Sequence, residues 1–267
     1  MKTVIALSAA LLLGACAAPG GVEELESRFD GEIPRIVGDR YVPADLVVPN
    51  PDQATIVVFS HGTRRPSAFE RCDASYNAPP PTIVALDAGD VHVVRHCSRA
   101  IEGTDPRDAG NQVYDRAAEL TRLASAYAAN GVSPERIFLT GHSNGGWSSL
   151  MAYARAPDAF GGVVAFAPAF AGKRSEKWRF PHFRCEARPR QVAELEAAAE
   201  IRALVFAYEH DRFNRPEDLA FLPAAHSGAR MIAYGCGLRR PHMTALNDCR
   251  AAETEAAIRA FIAPAGL

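Results

Sequence analysis

The chain of 267 residues lacks the features that mark several large classes of protein. It has no basic run and no stripe of interleaved basic and aromatic residues, so we expect no nucleic-acid partner and a solvated surface for its scattered arginines. Its six cysteines include no C-x-x-C pair, which argues against a zinc site. It also has no internal repeat and no interdomain linker. With 48% hydrophobic residues, the sequence predicts one globular domain.

The N-terminus has an apolar run, at residues 4–13, that is too short to span a bilayer as a helix. Lys2 precedes the run and two small residues follow it, which is the layout of a secretory signal. The stretch Leu13-Gly14-Ala15-Cys16 resembles a bacterial lipobox. This resemblance implies that Cys16 is lipidated and becomes the first residue of the mature chain.

These features divide the chain into a signal peptide at 1–15, a tether at 16–30 and a single domain at 31–267. We expect the mature protein to be exported and lipid-anchored to a bacterial membrane through Cys16, on its periplasmic or cell-surface face. Palmitate and related acyl chains would form the anchor. An ordinary cleaved signal, in which Cys16 is incidental, is the alternative.

Export would place the other five cysteines in an oxidising compartment, where disulfide bonds persist. Two bonds and one free thiol are the simple expectation, although the sequence leaves their connectivity open. We favour a bond between Cys236 and Cys249, because the two are close in sequence and bracket a short loop. A bond between Cys72 and Cys97 is the second choice.

Apolar runs alternate with amphipathic segments from residue 54 onward. Continuous β-branched and aromatic runs indicate buried parallel strands, and apolar residues at steps of three and four indicate helices. The predicted strands are 55–59, 91–94, 136–140, 162–166, 203–207 and 230–234, and the predicted helices are 110–130, 146–156, 189–201, 217–225 and 251–262. Residues 33–48 suggest early edge strands. The fold class is therefore α/β, with a mainly parallel, doubly wound sheet flanked by helices.

The motif Gly141-x-Ser143-x-Gly145 lies between a predicted strand and a predicted helix. A hydroxyl nucleophile must project from a sharp turn to reach a carbonyl carbon, and glycine on either side removes the side chains that would clash. The amides at the start of the following helix can stabilise an oxyanion. The pentad alone is a weak signal, but this context makes Ser143 the candidate nucleophile.

A serine nucleophile needs a general base held by a carboxylate, and in this arrangement the chain order is nucleophile, acid, base. Asp211 follows the predicted strand 203–207 and is our candidate acid, with Glu209 as the runner-up. His242 follows the last predicted strand, inside the segment between the two favoured cysteines, and is our candidate base. His226 is the alternative base, but it precedes that strand and is expected to be a surface loop residue.

Two backbone amides are needed to bind the oxyanion. The first candidate is the amide of Asn144, directly after the nucleophile. The second should come from the loop after the strand 55–59, where we assign Thr63, with Gly62 as the alternative. We expect His61 to order this loop by hydrogen bonding, and His142 to serve in packing.

The chain resembles the α/β-hydrolase superfamily over residues 54–263. Its stretch Gly141-His142-Ser143-Asn144-Gly145-Gly146 is similar to the nucleophile turn of the dienelactone-hydrolase-like and esterase branches. No large lid is evident. The segment 172–188 is the nearest thing to a cap, and its aromatic residues could line a pocket or serve in packing; they are Trp178, Phe180 and Phe183.

The resemblance implies a monomeric serine hydrolase that cleaves a carboxylic ester, small-molecule or lipid-like, through an acyl-enzyme. The chemistry requires no metal or organic cofactor. A peptidase or acyltransferase would use the same three residues, so the motif does not separate these activities. A surface-binding lipoprotein that keeps the fold without catalysis is the alternative of a different class.

Overall fold

The computed structural model of the protein describes residues 35–37, 40–41, 48–62, 78–96, 98, 110–176, 182–236, 241–246 and 249–263. Several predictions lie outside these residues. They are the signal peptide, the tether, Cys16, Thr63, Cys72, Cys97, Trp178 and Phe180. No helix in the described part of the chain is long and apolar enough to cross a membrane.

The described strands form one sheet, whose order is β2-β1-β4-β3-β5-β6-β7-β8. The six strands from β4 to β8 in this order are parallel, and β1 is antiparallel to both of its neighbours. This confirms the predicted mainly parallel sheet with short edge strands near its start. The strands are β1 (Arg35–Val37), β2 (Arg40–Tyr41), β3 (Thr55–Ser60), β4 (Val91–His96), β5 (Ile137–His142), β6 (Gly162–Phe166), β7 (Ala203–Tyr208) and β8 (Ala229–Tyr234).

The central strands are apolar throughout because both faces of the sheet are covered. Successive side chains of a strand point to opposite faces. In β6, Val163 and Ala165 belong to one apolar cluster, whereas Val164 and Phe166 belong to a second. A strand buried on both sides therefore reads as a continuous apolar run, without polar alternation.

Helices cover both faces of this sheet, as predicted. Leucines of α2, α3, α4 and α6 pack into the first cluster, and isoleucines of α1 and α7 pack into the second. The helices are α1 (Pro81–Val84), α2 (Asn111–Ala129), α3 (Asn144–Arg155), α4 (Arg188–Ala197), α5 (Pro216–Leu219), α6 (Phe221–Ala225) and α7 (Ala251–Ile262).

Several helix boundaries differ from the predictions. Helix α3 begins two residues earlier than expected, directly after Ser143, and α4 ends earlier, where Ala198 is extended. The predicted helix 217–225 is divided at Ala220, and α1 is too short for its periodicity to be seen in the sequence. Within 172–188, residues His182–Ala187 form a π-helical turn, and Phe183 is buried in the first apolar cluster, so this aromatic residue serves in packing.

Helix α2 departs from a simple amphipathic pattern. Arg116 and Glu119 have no exposed surface, although we expected the scattered arginines to be solvated. That expectation is wrong for Arg116, because its guanidinium donates to the carbonyl oxygen of His61 inside the protein. Buried charges persist where such polar partners are available.

The structure joins Cys236 to Cys249 by a disulfide bond, with 6.2 Å between their Cα atoms. This is the bond that the spacing favoured. Cys185 is also disulfide-bonded. The sequence left the role of Cys185 open, and the Cys72–Cys97 bond that was our second choice lies outside the described residues.

Candidate active site

Ser143 occupies a sharp turn between β5 and α3. Its backbone has φ 56° and ψ −121°, a conformation that a residue with a side chain rarely adopts. The turn is possible because Gly141 and Gly145 have no Cβ atom. A Cβ atom at Gly145 would overlap the carbonyl oxygen of Ser60, and one at Gly141 would overlap the backbone of Gly145. The two glycines of the motif are therefore required by close backbone contacts.

The three predicted side chains lie in one hydrogen-bonded row. Ser143 Oγ is 2.8 Å from Nε2 of His242, and His242 Nδ1 is 2.7 Å from Oδ2 of Asp211. These residues come from distant parts of the chain and meet at the carboxyl edge of the sheet. We call this arrangement the Ser143–His242–Asp211 row.

Asp211 is held in an orientation that suits an acceptor for the imidazole. It follows β7, is fully buried, and its Oδ1 accepts the backbone N–H of Phe213 at 2.8 Å. Its second oxygen is thereby left for Nδ1–H of His242. This hydrogen bond favours the tautomer in which Nε2 of His242 can accept the proton of Ser143.

The loop that carries His242 is held at several points. Residues Pro241–Leu246 form a 3-10 turn, and the Cys236–Cys249 bond closes the loop around it. The ring of Phe213 lies 4.2 Å from the imidazole of His242, measured between centroids. His242, the candidate base, is therefore restrained by covalent, aromatic and hydrogen-bond contacts.

His142 does more than pack, which corrects the prediction made for it. Its Nε2 donates to the backbone carbonyl of His242 at 2.6 Å. Burial, together with the neighbouring His242, lowers the pKa of His142 from 6.5 to about 3. The His142 ring therefore stays neutral in the native protein and holds the loop of the candidate base.

Two amides beside Ser143 are candidates for binding an oxyanion. Asn144 is the first residue of α3, where a backbone N–H has no acceptor within its own helix. Gly62 lies against Ser143, since a Cβ atom there would be 3.4 Å from Cβ of Ser143. Within the described residues, the Gly62 N–H has no hydrogen-bond acceptor. The preferred second amide, that of Thr63, lies outside them.

His61 makes the ordering contacts that we expected of it. Its Nδ1 donates to the carbonyl of Gly62 at 2.7 Å, and its Nε2 accepts the backbone N–H of Ser98 at 3.3 Å. The second contact requires the neutral ring, because a protonated imidazole has no nitrogen that can accept a hydrogen bond. Burial, and then the charge of Arg116, hold the pKa of His61 well below its usual value.

The alternative acid and base are placed elsewhere. The backbone N–H of Glu209 donates to the carbonyl of Tyr234, and it is Asp211 that contacts the imidazole of His242. His226 is buried and its Nε2 donates to the carbonyl of Leu195 at 2.8 Å. His226 is therefore a buried residue and not the surface loop residue that we predicted, and it is His242 that contacts Ser143.

Two further features of the site had no signal in the sequence. The carbonyl oxygen of Ala169 lies 3.3 Å from Ser143 Oγ and offers the hydroxyl a second, longer acceptor. Arg184 donates to the carbonyl of Phe213 and, at 3.2 Å, to Oδ1 of Asn214. The π-helical turn thus supports the loop of the candidate acid. No group of side chains suited to a metal occurs in the described part of the chain.

The sheet order and the turn at Ser143 define an α/β-hydrolase fold, and esterases of this fold are similar structures. Est2 from the Planctomycetes species Thermogutta terrifontis is 14% identical, with 92% of this chain and 95% of that chain covered and a TM-score of 0.58. Est1E from Butyrivibrio proteoclasticus is 14% identical, with coverage of 83% and 91% and a TM-score of 0.55. The carboxylesterase EstE1, from a metagenomic library, is 16% identical, with coverage of 87% and 89% and a TM-score of 0.53. At such low identity, the likeness establishes the fold.

Residues 56–214, more than half of the chain, match the model of the Esterase family, described as "Putative esterase". The chain belongs to this family, and membership supports a hydrolase of ester substrates. The matched residues include Ser143 and Asp211 and end before His242. No curated protein matches the chain.

The lowered pKa of His142 predicts an acid-sensitive fold. Between pH 6.5 and about 3, the unfolded chain binds one proton at residue 142 that the native protein does not, so the free energy of unfolding falls as the pH falls. We expect His142→Gln, which keeps a donor for the His242 carbonyl, to reduce this slope by about 1.4 kcal/mol per pH unit. Urea unfolding at several pH values checks this, and identical slopes for the two proteins would contradict it.

Proposed function

We propose that the protein is a serine hydrolase that cleaves carboxylic esters through an acyl-enzyme, with Ser143 as nucleophile, His242 as general base and Asp211 as the carboxylate that orients it. The observation that supports this most is the Ser143–His242–Asp211 row, with distances of 2.8 and 2.7 Å at a strained turn. Membership of the Esterase family supports the choice of an ester substrate.

In the first half of the reaction, Ser143 Oγ attacks the carbonyl carbon while Nε2 of His242 takes the hydroxyl proton. The tetrahedral oxyanion collapses, the bond to the alcohol oxygen breaks, and His242 returns the proton to the leaving alcohol. In the second half, water attacks the acyl-enzyme with His242 again as base. This releases the carboxylic acid and restores Ser143. Asp211 stabilises the imidazolium in both halves.

The developing negative charge is bound by backbone amides. Asn144 supplies one, aided by the positive end of the α3 dipole. The loop after β3 supplies the other, from Thr63 as assigned on sequence or from Gly62 as the alternative. The mechanism uses no metal or organic cofactor.

The turn 141–146 favours the dienelactone-hydrolase-like and esterase branches, and a small-molecule or lipid-like ester as substrate for a monomeric enzyme. A peptidase or acyltransferase differs only in the bond attacked or in the acyl acceptor, so the same residues would serve. Comparing esters with anilides, and water with added alcohols, separates these activities.

We also propose that the mature chain is exported and held at a bacterial membrane by acyl chains on Cys16. The apolar run 4–13 and the lipobox-like stretch before Cys16 support this. More than one acyl chain gives stable attachment, whereas a single chain gives marginal attachment.

Nitrophenyl esters of graded acyl length test the catalytic proposal. We expect Ser143→Ala to lower kcat by about 10⁴-fold or more, because no other group takes the acyl chain. Asp211→Asn should cost on the order of 10⁴-fold, since an amide favours the wrong imidazole tautomer. Glu209→Gln is the matched control, because it removes a carboxylate two residues away that does not contact His242, and it should stay near the wild-type rate. Equal turnover by wild type and Ser143→Ala would end the proposal.

Membrane fractionation of the expressing bacteria tests the anchor. We expect the wild-type chain in the membrane fraction. Cys16→Ser should be found in the soluble fraction or with its signal peptide still attached, because serine has no thiol for lipidation. A mass increase matching acyl chains on the N-terminal peptide is the direct readout. Wild-type protein found soluble with an unmodified Cys16 would contradict the anchor and would leave the catalytic proposal standing.

A further inference from the structure

A cluster of charged side chains is buried behind the loop that follows β3. Arg116 and Glu119 of α2 have no exposed surface, and His96, at the end of β4, is 1% exposed. His96 Nε2 lies 2.9 Å from Oε2 of Glu119. The cluster lies outside the Ser143–His242–Asp211 row. Since buried ions are unfavourable unless they are paired, its presence calls for a physical account.

Two successive carbonyl groups of the loop are held, one by Arg116 of the cluster and one by the ring of His61. Arg116 Nη1 donates to the carbonyl oxygen of His61 at 2.7 Å. The ring of His61 in turn donates to the carbonyl oxygen of Gly62 at 2.7 Å. A guanidinium donor gives a strong, charge-assisted bond in a fixed direction, which a more flexible ammonium group does not match.

A held carbonyl also sets the direction of the amide in the same peptide plane. The described chain contains no cis peptide bond, and in a trans peptide the N–H points opposite to the C=O. Arg116 therefore fixes the direction of the Gly62 N–H, which has no acceptor within the described residues. Gly62 itself lies against Ser143, since a Cβ atom there would be 3.4 Å from Cβ of Ser143. The His61 ring adds a second contact to this loop, through the carbonyl oxygen of Gly62.

We infer that Arg116 is a positioning residue for the oxyanion-binding loop, and that it acts on the transition state through the carbonyl of His61. This inference rests on the proposed function. Arg116 does not touch the substrate; it keeps an amide aimed at the place where negative charge develops. Such preorganised donors contribute most when they need not reorient during the reaction.

Glu119 explains how a guanidinium can be kept in the core. Burial raises the pKa of Glu119. Hydrogen bonds from His96 and Ser98 and the charge of Arg116 lower it by more than burial raises it, so the net pKa is below the ordinary value. The carboxylate is therefore ionised, and its charge, three residues from Arg116 on the same helix, offsets the charge of the guanidinium through Coulombic attraction. Arg116 remains a charged donor at the His61 carbonyl.

The test compares Arg116→Lys, Glu119→Gln and the double variant Arg116→Met/Glu119→Gln in the full chain. The double variant removes both charges, so that neither is left buried alone. We measure kcat and KM with a nitrophenyl ester, and the inhibition constant of a trifluoromethyl ketone, which forms an oxyanion on Ser143. Arg202→Met is the matched control. Arg202 also donates to two backbone carbonyls, of Gly161 and Phe261, but lies before β7 at the opposite edge of the sheet.

We expect kcat of the double variant to fall about 10- to 100-fold below that of Glu119→Gln, with KM changed less than about 2-fold, because an oxyanion donor acts on the transition state. Affinity for the ketone should fall by the same factor as kcat. Arg116→Lys should lose less of both, and Arg202→Met should lower Tm without this loss.

Wild-type kcat and ketone affinity in folded Arg116 variants would overturn the inference and leave the proposed function intact. Losses in KM and Tm without loss of ketone affinity would show a merely structural role and overturn it too. Arg116→Lys keeps the buried charge, so it decides the question if the double variant does not fold. Failure of the proposed function would show in the wild-type protein itself, as absence of Ser143-dependent turnover.

Discussion

The backbone turn at Ser143 is the constraint on which the rest of the site depends. Its φ of 56° is held by the tight contact between Gly145 and the carbonyl of Ser60, at the end of the neighbouring strand β3. That contact brings the start of α3 and the loop after β3 to the same point. Ser143, Asn144 and Gly62 are therefore neighbours, because Gly145 lets the backbone of the turn approach that of β3 closely.

Around this turn, buried donors hold the carbonyl groups of the loops that carry the site. His142 binds the carbonyl of His242, Arg116 that of His61, and Arg184 that of Phe213. Loops are mobile unless their backbone groups are satisfied, and a mobile site is less well organised for a transition state. The sheet is a rigid support, and these side chains hold the loops at its carboxyl edge by hydrogen bonds.

The sequence was sufficient for the sheet, for most helices and for the residues of the row, because each depends on local pattern or on chain order. The runs 162–166 and 203–207 are apolar because both faces are buried, and Asp211 follows β7 by the rule that active-site residues lie at carboxyl ends of strands. The Cys236–Cys249 bond likewise followed from short spacing.

Contacts between distant residues could not be predicted in this way. Apolar periodicity identifies α2, but it leaves Arg116 and Glu119 on a face that reads as solvated, since their partners lie on β3 and β4. The hydrogen bond from His142 to His242 joins residues that are 100 positions apart, and no local sequence pattern predicts it. Helix α3 begins at Asn144 because the strained turn at Ser143 leads directly into it. Helix propensity does not predict this start, since it depends on the geometry of the turn.

Covalent labelling with a fluorophosphonate, read by mass spectrometry of the digested protein, tests the role of Ser143 most directly. We expect one label per chain, on Ser143, with labelling greatly slowed in His242→Ala because the hydroxyl then has no base. A wild-type protein that is folded but takes no label, or takes it on another serine while Ser143 stays unmodified, would rule out Ser143 as the nucleophile.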